Sequence, residues 1–264
     1  MSLAEKIENT KVNTGEIVLF YLAQAGFCIK TAENKIIIID AYLSDAAERL
    51  FNFRRMIPAM IRGEELHPDL YLSTHSHIDH LDVDVIPLIA KNQHTVFAGA
   101  PDCESFYQET NISPSRYVII KEGEEWKWNN INIRGIYADH GDLAPDAIGF
   151  LINIDGIKIY HAGDTCFCPE KTIASLASEV DIMIAPINGQ YGNMIASETV
   201  KLAGMIKPNI IIPCHFWMFI EHMAKEGKGD PTTFLNEAQS LPHTIKPIVM
   251  CPGELLRYSK NNIK

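Results

Sequence analysis

Positive charge is scarce in this chain. Its 264 residues carry 23 lysines and arginines against 33 acidic side chains, which gives a net charge of -10 at neutral pH. A protein that grips a nucleic-acid backbone or an acidic membrane needs a basic patch or stripe, because it must neutralise phosphates. The composition therefore argues against a nuclease of that kind, and we expect no nucleic-acid partner.

Long apolar runs and targeting signals are also missing. No stretch approaches the roughly 18 apolar residues that a transmembrane helix requires. Residues 1–14 are polar and lack the apolar core and cleavage site of a secretory signal. We therefore expect a cytoplasmic protein with no membrane partner.

Linkers and a disulfide framework are missing as well. No Pro-, Gly- or Ser-rich segment divides the chain, so residues 1–264 are predicted to form a single domain. Scattered cysteines in a chain of this size indicate buried thiols in a reducing compartment. Cys166 and Cys168 follow Asp164 closely; we interpret them as ordinary loop side chains, with a place in a metal pocket left open. The six cysteines are at positions 28, 103, 166, 168, 214 and 251.

Histidine, by contrast, is concentrated in one place. Residues 73–80 read Ser-Thr-His-Ser-His-Ile-Asp-His. The apolar run 70–72 before them predicts a buried strand, and apolar residues at helical spacing follow at 81–90. On a loop between strand and helix, side chains two positions apart can converge, so His75 and His77 can share a metal. Asp79 and His80 can then face a second metal, since imidazole and carboxylate are good ligands for zinc and similar ions.

Alternating and continuous apolar runs predict the remaining elements. Hairpin turns are expected at 31–34 and at the dipeptide Asp155-Gly156, and Ser197 is a candidate helix cap. Residues 45–66 read as an irregular insertion. Strands are predicted at 17–22, 26–29, 36–39, 70–72, 95–98, 116–120, 126–128, 131–137, 148–154, 158–161, 182–185 and 210–213, and helices at 101–109, 171–177 and 197–205.

The motif His-x-His-x-Asp-His after a strand resembles the metallo-β-lactamase superfamily. Further stretches follow in the order that this superfamily uses, each after a predicted strand, and the resemblance covers residues 18–257. It implies an α/β (α+β) protein with a four-layer αββα sandwich, the metallo-β-lactamase fold. The matching stretches are 40–44, 138–141, 160–165 and 211–215.

The resemblance also implies a dinuclear metal site. It assigns His75, His77 and His140 to the first metal, and Asp79, His80 and His215 to the second. Asp164 matches the carboxylate that bridges both, and the leaving group is expected to take a proton through Asp79 or water. Two divalent ions would supply hydroxide at neutral pH. Zinc and manganese suit these ligands, and iron does too, so the metal stays open.

Supporting residues are assigned in the same way. Asp40 matches the buried aspartate that orients a ligand histidine, the alternative being a turn aspartate. His161 is expected to support Asp164 from behind. Arg54 and Arg55 are candidates to clamp a phosphate, or a solvated pair. Further candidates for substrate binding are Tyr191, Trp217 and His222, with packing as the alternative.

Within the superfamily, the stretches 24–27, 181–192 and 213–219 resemble the L-ascorbate-6-phosphate lactonase-like branch. This implies a hydrolase that opens the lactone of a phosphorylated sugar acid, hence a small anionic substrate. One departure is His140, because a complete three-histidine first site is more typical of members without an assigned substrate. Alternatives are a phosphodiesterase acting on a small nucleotide or lipid, an iron-dependent oxidoreductase and a non-enzymatic sensor. His77 argues against the di-iron reductases, which carry glutamate there. A homo-oligomer is left open.

Overall fold

The computed structural model describes residues 1–222, 229–260 and 262–263. Contacts divide the chain into two compact units. Unit 1 comprises Met1–Ile119, Phe219–Glu221 and Met250–Lys264, and unit 2 comprises Ile120–Met218 and His222–Val249. The interpretation of 1–264 as one domain stays a prediction.

Unit 1 is built on a mixed sheet, which has eight strands among the described residues, in the order β15-β14-β1-β2-β3-β4-β5-β6. The strands β3 to β6 are mutually parallel, and β1 and β2 form antiparallel hairpins that lead into β3. The strands are β1 (Ile17–Tyr21), β2 (Phe27–Thr31), β3 (Ile36–Ile39), β4 (Leu70–Ser73), β5 (Val96–Gly99), β6 (Tyr117–Ile119), β14 (Leu255–Ser259) and β15 (Asn262–Ile263).

The direction of these strands sets where the polar loops of unit 1 emerge. Because β2 is antiparallel to both neighbours, β1 runs in the same direction as β3 and β4. The carboxyl ends of β1, β3 and β4 therefore lie at one edge of the sheet. Gln24, Asp40 and the 75–80 loop follow those three ends.

The helices of unit 1 are short, and several differ from expectation. The insertion predicted as irregular contains a helix, and the helix expected over 81–90 covers only Ile86–Ile89. The reason is Asp82, whose carboxylate accepts the N–H groups of Asp84 and Val85 and so satisfies the backbone without a helix. The helices are α1 (Leu3–Asn9), α2 (Ala46–Phe51), α3 (Ile86–Ile89) and α4 (Glu104–Glu109).

Unit 2 is built on a sheet with seven strands among the described residues, in the order β13-β12-β11-β10-β9-β8-β7. Here β9 is antiparallel to β8 and β10, whereas β10, β11 and β12 are parallel. Hence β8, β10 and β12 all end at one edge, and His140, Asp164 and His215 follow those ends. The strands are β7 (Glu125–Trp128), β8 (Ile131–Tyr137), β9 (Ile148–Ile154), β10 (Ile157–His161), β11 (Ile182–Pro186), β12 (Ile210–Cys214) and β13 (Lys246–Pro247).

The helices of unit 2 are α5 (Pro169–Leu176), α6 (Ala196–Ile206) and α7 (Pro231–Glu237). The cap predicted at Ser197 is wrong, because α6 begins at Ala196 and Ser197 is its second residue. Ile195 is the cap residue, and its N–H donates to the Glu198 carboxylate at 3.0 Å. The predicted Asp155-Gly156 turn is confirmed, with φ of 50° and 86°, the left-handed pair that a two-residue hairpin needs.

The sheets supply most of the apolar core. All residues of β1, β2, β3, β11 and β12 are buried, which is typical of strands covered on both faces. No helix among the described residues combines the length and apolar character that a bilayer crossing requires.

Candidate metal centre

In unit 1, His75 and His77 converge on the loop after β4. The Nε2 atom of His75 lies 3.0 Å from the Nδ1 atom of His77, and the rings are 4.6 Å apart. Two neutral imidazoles this close can share one proton or direct both lone pairs at a cation. His75 is fully buried, and His77 is half-buried. The convergence expected for this loop is therefore present.

Asp40 holds the same loop from behind. Its carboxylate accepts hydrogen bonds from the Thr74 N–H at 2.8 Å and the Thr74 hydroxyl at 2.6 Å. One of its oxygens also lies 2.8 Å from His80 Nδ1, and both side chains are fully buried. A carboxylate on one ring nitrogen fixes the tautomer and leaves the other nitrogen as a ligand. The contact expected between Asp40 and a histidine of the octet is thus present.

Asp79 has a partner that sequence reasoning missed. The side-chain amide of Gln24 donates to Asp79 Oδ2 at 2.7 Å, and His80 Nε2 lies 3.9 Å from the same oxygen. Gln24 is buried and has a left-handed backbone with φ of 54° in the turn after β1. The stretch 24–27 had been noted only for its resemblance to one branch. Because β1 and β4 end at one edge of the sheet, a polar residue such as Gln24 directly after β1 could have been recognised as a neighbour of the 75–80 loop.

Two more aspartates anchor this region of unit 1. Ser76 donates its N–H to Asp102 at 2.9 Å, which fixes the loop between His75 and His77. Asp82 accepts the N–H groups of Leu43 and Ser44 at 2.8 and 2.9 Å. Burial raises the pKa of Asp82, and the hydrogen bonds from the Ser44 hydroxyl and the Leu43 N–H act in the opposite direction. The octet is therefore supported on both sides by hydrogen-bonded carboxylates.

In unit 2, Asp164 faces two histidines. Its Oδ2 atom lies 3.2 Å from His215 Nε2 and 3.7 Å from His140 Nε2, and all three side chains are buried. The parallel strand ends explain how residues so distant in sequence meet. His215 has φ of 58°, a left-handed conformation that is uncommon outside glycine and that often marks functional positions.

His161 supports the turn that carries Asp164. It is fully buried at the end of β10, and its Nδ1 atom accepts a hydrogen bond from the Gly163 N–H at 3.2 Å. Gly163 has φ of 62°, so a side chain there would be strained. His161 therefore acts on the backbone directly before Asp164, which is consistent with the supporting position expected for it.

The two loop cysteines of unit 2 lie together with a carboxylate. The Sγ atoms of Cys166 and Cys168 are 3.2 Å apart, and Cys168 Sγ lies 3.8 Å from Asp139 Oδ2. Burial raises the pKa of the Cys166 thiol to about 12, and Cys168 and Asp139 add to the rise. Their clustering had not been expected, because Asp139 belongs to a different loop.

The two arginines have different surroundings within unit 1. Arg55 donates to the Ile57 and Ser44 carbonyls, both at 2.7 Å, and stacks 5.0 Å from the Tyr42 ring. Arg54 pairs with Glu221 at 3.0 Å, and its side chain is 58% exposed. Of the two candidates for phosphate binding, Arg55 is engaged in holding the insertion, whereas Arg54 is at the surface.

The aromatic candidates of unit 2 are exposed. The Tyr191 hydroxyl lies 3.0 Å from His222 Nε2, and Trp217 packs edge-on against Phe216. Tyr191 and Trp217 are 53% and 44% exposed, and both have left-handed backbones. Both rings are exposed in part and contact a neighbouring side chain, so their role in substrate binding stays a prediction beside the packing alternative.

The donor atoms in both units fit divalent metal ions. Unit 1 offers three imidazoles and a carboxylate, and unit 2 offers two imidazoles facing one carboxylate oxygen. These are the hard and borderline ligands that zinc, manganese and iron accept. In unit 1 the carboxylate of Asp40 behind His80 reproduces the usual support of a metal-binding histidine.

Comparison with known proteins identifies the family. A family model described as a beta-lactamase superfamily domain matches residues 18–215. A UPF0173 metal-dependent hydrolase from Polynucleobacter asymbioticus is 27% identical over 92% of this chain and 87% of its own. A second, from Thermoplasma acidophilum, is 31% identical over 73% of this chain and 80% of its own.

Structural comparison agrees on the fold. The metallo-β-lactamase fold protein YhfI from Bacillus subtilis superposes with a TM-score of 0.68, covering 93% of this chain and all of its own. Its sequence identity of 13% means that the likeness concerns the fold alone. The α/β metallo-β-lactamase fold expected from the histidine motif is thereby confirmed. The chain belongs to the metallo-β-lactamase superfamily and is one of its metal-dependent hydrolases.

Proposed function

We propose that the protein is a dinuclear hydrolase that opens the lactone ring of a phosphorylated sugar acid such as L-ascorbate 6-phosphate. The observation that carries the hydrolase assignment is the set of buried donors at the sheet edges of both units, with a carboxylate behind His80. The lactone assignment is supported by the stretches 24–27, 181–192 and 213–219 and by an exposed guanidinium, Arg54, suited to an anionic substrate.

The proposed ligands follow the superfamily pattern. His75, His77 and His140 would hold one metal ion, Asp79, His80 and His215 the second, and Asp164 would bridge them. Zinc and manganese are the candidates, with iron as the alternative. When bound, such ions lower the pKa of a water and polarise a carbonyl oxygen of the substrate.

The protein's own groups have separate tasks in this proposal. Asp40 keeps the Nε2 atom of His80 deprotonated by occupying its Nδ1 atom. Gln24 orients the Asp79 carboxylate through its amide, which positions Asp79 to pass a proton to the departing alkoxide. Arg54 would bind the substrate phosphate, and Tyr191, Trp217 and His222 would contact its sugar part.

A substrate panel tests this proposal. Metal-depleted protein is reloaded with manganese, zinc or iron and assayed on three classes of compound: simple lactones, phosphorylated sugar-acid lactones and a chromogenic phosphodiester. We expect the highest kcat/KM on the phosphorylated lactones, and a bound-metal content approaching two per chain.

Other outcomes separate the alternatives. Faster turnover of the phosphodiester would favour the phosphodiesterase, and retained iron with oxygen consumption would favour the oxidoreductase. Metal binding without turnover of any class would fit a sensor.

The proposal includes a cytoplasmic location, a small anionic substrate and no nucleic-acid or membrane partner. Whether the chain forms a homo-oligomer is measured by light scattering during gel filtration.

A further inference from the structure

We propose that Cys166, Cys168 and Asp139 form an additional binding site for one thiophilic divalent cation such as zinc. The three residues lie in unit 2 and include none of the ligands proposed for the catalytic metals. Their donor atoms, two sulfurs and one carboxylate oxygen, all lie within 4.8 Å of one another.

The spacing of the donors is close to what one ion requires. The two sulfurs are 3.2 Å apart, and Cys168 Sγ is 3.8 Å from Asp139 Oδ2. With zinc–sulfur and zinc–oxygen bonds of about 2.3 and 2.1 Å at tetrahedral angles, these separations become about 3.8 and 3.6 Å. To reach that geometry, the two sulfurs would separate by about 0.6 Å and the oxygen would approach Cys168 Sγ by about 0.2 Å.

Asp139 is held in an orientation that presents one oxygen to the sulfurs. Its Oδ1 atom accepts the Gly141 N–H at 3.2 Å, and the Tyr137 hydroxyl donates to its Oδ2 atom at 3.2 Å. Lys171 in turn donates to the Tyr137 hydroxyl at 3.1 Å. A carboxylate oriented by such partners is typical of metal ligands.

The backbone joins the loops that carry the three donors. The Cys166 N–H donates to the Asp139 carbonyl at 2.8 Å, and the Asp139 N–H donates to the Thr165 hydroxyl at 2.9 Å. All three donor residues are half-buried, so an ion can enter from solvent while part of its shell is protein. Three protein ligands leave one position for water, which predicts an exchangeable ion.

A cation at this site would tie together two loops that matter for the hydrolase. Asp139 precedes His140, and Cys166 follows Asp164 by two positions, so the ion would cross-link the segments that present both side chains. We therefore expect binding to raise the thermal midpoint of the protein. This role is distinct from the proposed catalysis and does not depend on the lactone substrate.

Cadmium is the probe of choice for the test. Coordinated thiols lose their protons outright, and cadmium thiolates have an ultraviolet charge-transfer band that imidazole and carboxylate ligands lack. The catalytic donors of this protein are nitrogen and oxygen atoms, so they stay silent in this assay. Reduced protein loaded with its own metals is titrated with cadmium chloride while the band is recorded.

The expected result is one equivalent of cadmium bound with the thiolate band. Cys166→Ser and Cys168→Ser should abolish the band, and Asp139→Asn should weaken cadmium binding at least tenfold. Cys251→Ser is the matched control, because Cys251 is exposed and lies in unit 1. Its band should equal that of the wild type.

A measurement on the wild type alone guards against variants that fail to fold. Cadmium or zinc should protect Cys166 and Cys168, but not Cys251, from alkylation by iodoacetamide, as read by peptide mass spectrometry. An undiminished band in both cysteine variants, or equal alkylation with and without metal, would overturn the site. A disulfide between Cys166 and Cys168, with no cadmium band after its reduction, would also overturn it and indicate a redox pair.

Discussion

The two units present their candidate metal ligands in different ways. In unit 1, His75, His77, Asp79 and His80 come from one loop after one strand, and side chains from neighbouring strand ends support them. In unit 2, His140, Asp164 and His215 come from three loops after three strands. Unit 1 therefore concentrates the donors in sequence, whereas unit 2 gathers them only through the direction of its strands.

The difference has an energetic consequence. The unit 1 loop is fixed by several charge-assisted hydrogen bonds, which are stronger than neutral ones. Removing one supporting side chain should therefore weaken metal binding in part and not abolish it. In unit 2, one carboxylate faces two imidazoles, so its removal affects both at once. We expect the most severe single change to lie in unit 2.

Asp164→Ala is the variant with the largest expected effect. If Asp164 bridges the two proposed metal ions, its loss should release or loosen one of them. We then expect kcat/KM to fall by far more than the roughly 10- to 100-fold loss typical for a residue that only orients a metal ligand. The measurements are turnover on the best substrate of the panel and metal content by elemental analysis, with circular dichroism to verify folding.

Asp142→Ala is the control for this variant, because Asp142 is an exposed aspartate two residues beyond His140 at the same edge of unit 2. It should keep both metals and near-normal turnover. If the Asp164→Ala variant also kept two metal ions and near-normal turnover, the bridging assignment would be wrong. The contrast between the units would then disappear.

Asp40→Asn tests the graded response expected of unit 1. Asparagine has nearly the same shape, but it has one oxygen where Asp40 uses two, Oδ1 for the Thr74 N–H and Oδ2 for His80 Nδ1. Metal affinity and kcat/KM should fall about 10- to 100-fold. Competition with a chelating dye measures the affinity.

The matched control is Asp102→Asn. Asp102 accepts the N–H of Ser76 in the same loop, and asparagine keeps an oxygen for that bond. Its affinity for metal should change less than threefold. Equal losses in both variants would mean that Asp40 acts on the loop as a whole and not through His80.

This contrast also explains what could be predicted from the sequence. The unit 1 octet is local, so the pattern of histidines after an apolar run was enough to place it. His140, Asp164 and His215 needed the superfamily resemblance, because no local pattern states that β8, β10 and β12 share one edge. Strands such as Ile131–Tyr137 and Ile148–Ile154 were predicted with the observed bounds, since their apolar runs end at clear turns.

The misses have physical causes too. Gln24 was not recognised as a site residue because its partner Asp79 is 55 positions away. The contact between Asp139 and Cys168 was not predicted, because the two residues lie on different loops and no sequence pattern links them. The Ser197 cap failed because Glu198 reaches back to the Ile195 N–H instead. Periodicity shows which face of an element is apolar, but it does not show which partner a polar side chain contacts.

Arg55→Ala sharpens the comparison inside unit 1, where a neighbouring arginine serves as control. Arg55 donates to two carbonyl oxygens at 2.7 Å and stacks on Tyr42. Its loss should lower the free energy of unfolding by about 1.5–3 kcal/mol, the range for charged hydrogen bonds. Urea titration measures this, and Arg55→Lys should recover only part, because lysine lacks the planar fork. Equal stability of the Arg54→Ala and Arg55→Ala variants would contradict the structural role.

Arg54→Ala has the smallest expected effect on the fold. Its pair with Glu221 is exposed, and such pairs contribute little to stability. If Arg54 binds the phosphate of the substrate, it does so in ground and transition states alike, so its loss raises KM and leaves kcat nearly unchanged. We expect the variant to lose about 1.5 kcal/mol of binding free energy for the phosphorylated lactone. This is the low end for a charged hydrogen bond, because Glu221 competes for the same guanidinium. An unphosphorylated lactone should show no change. Equal losses on both lactones would mean that Arg54 shapes the insertion, and unchanged KM on both would place the phosphate site elsewhere.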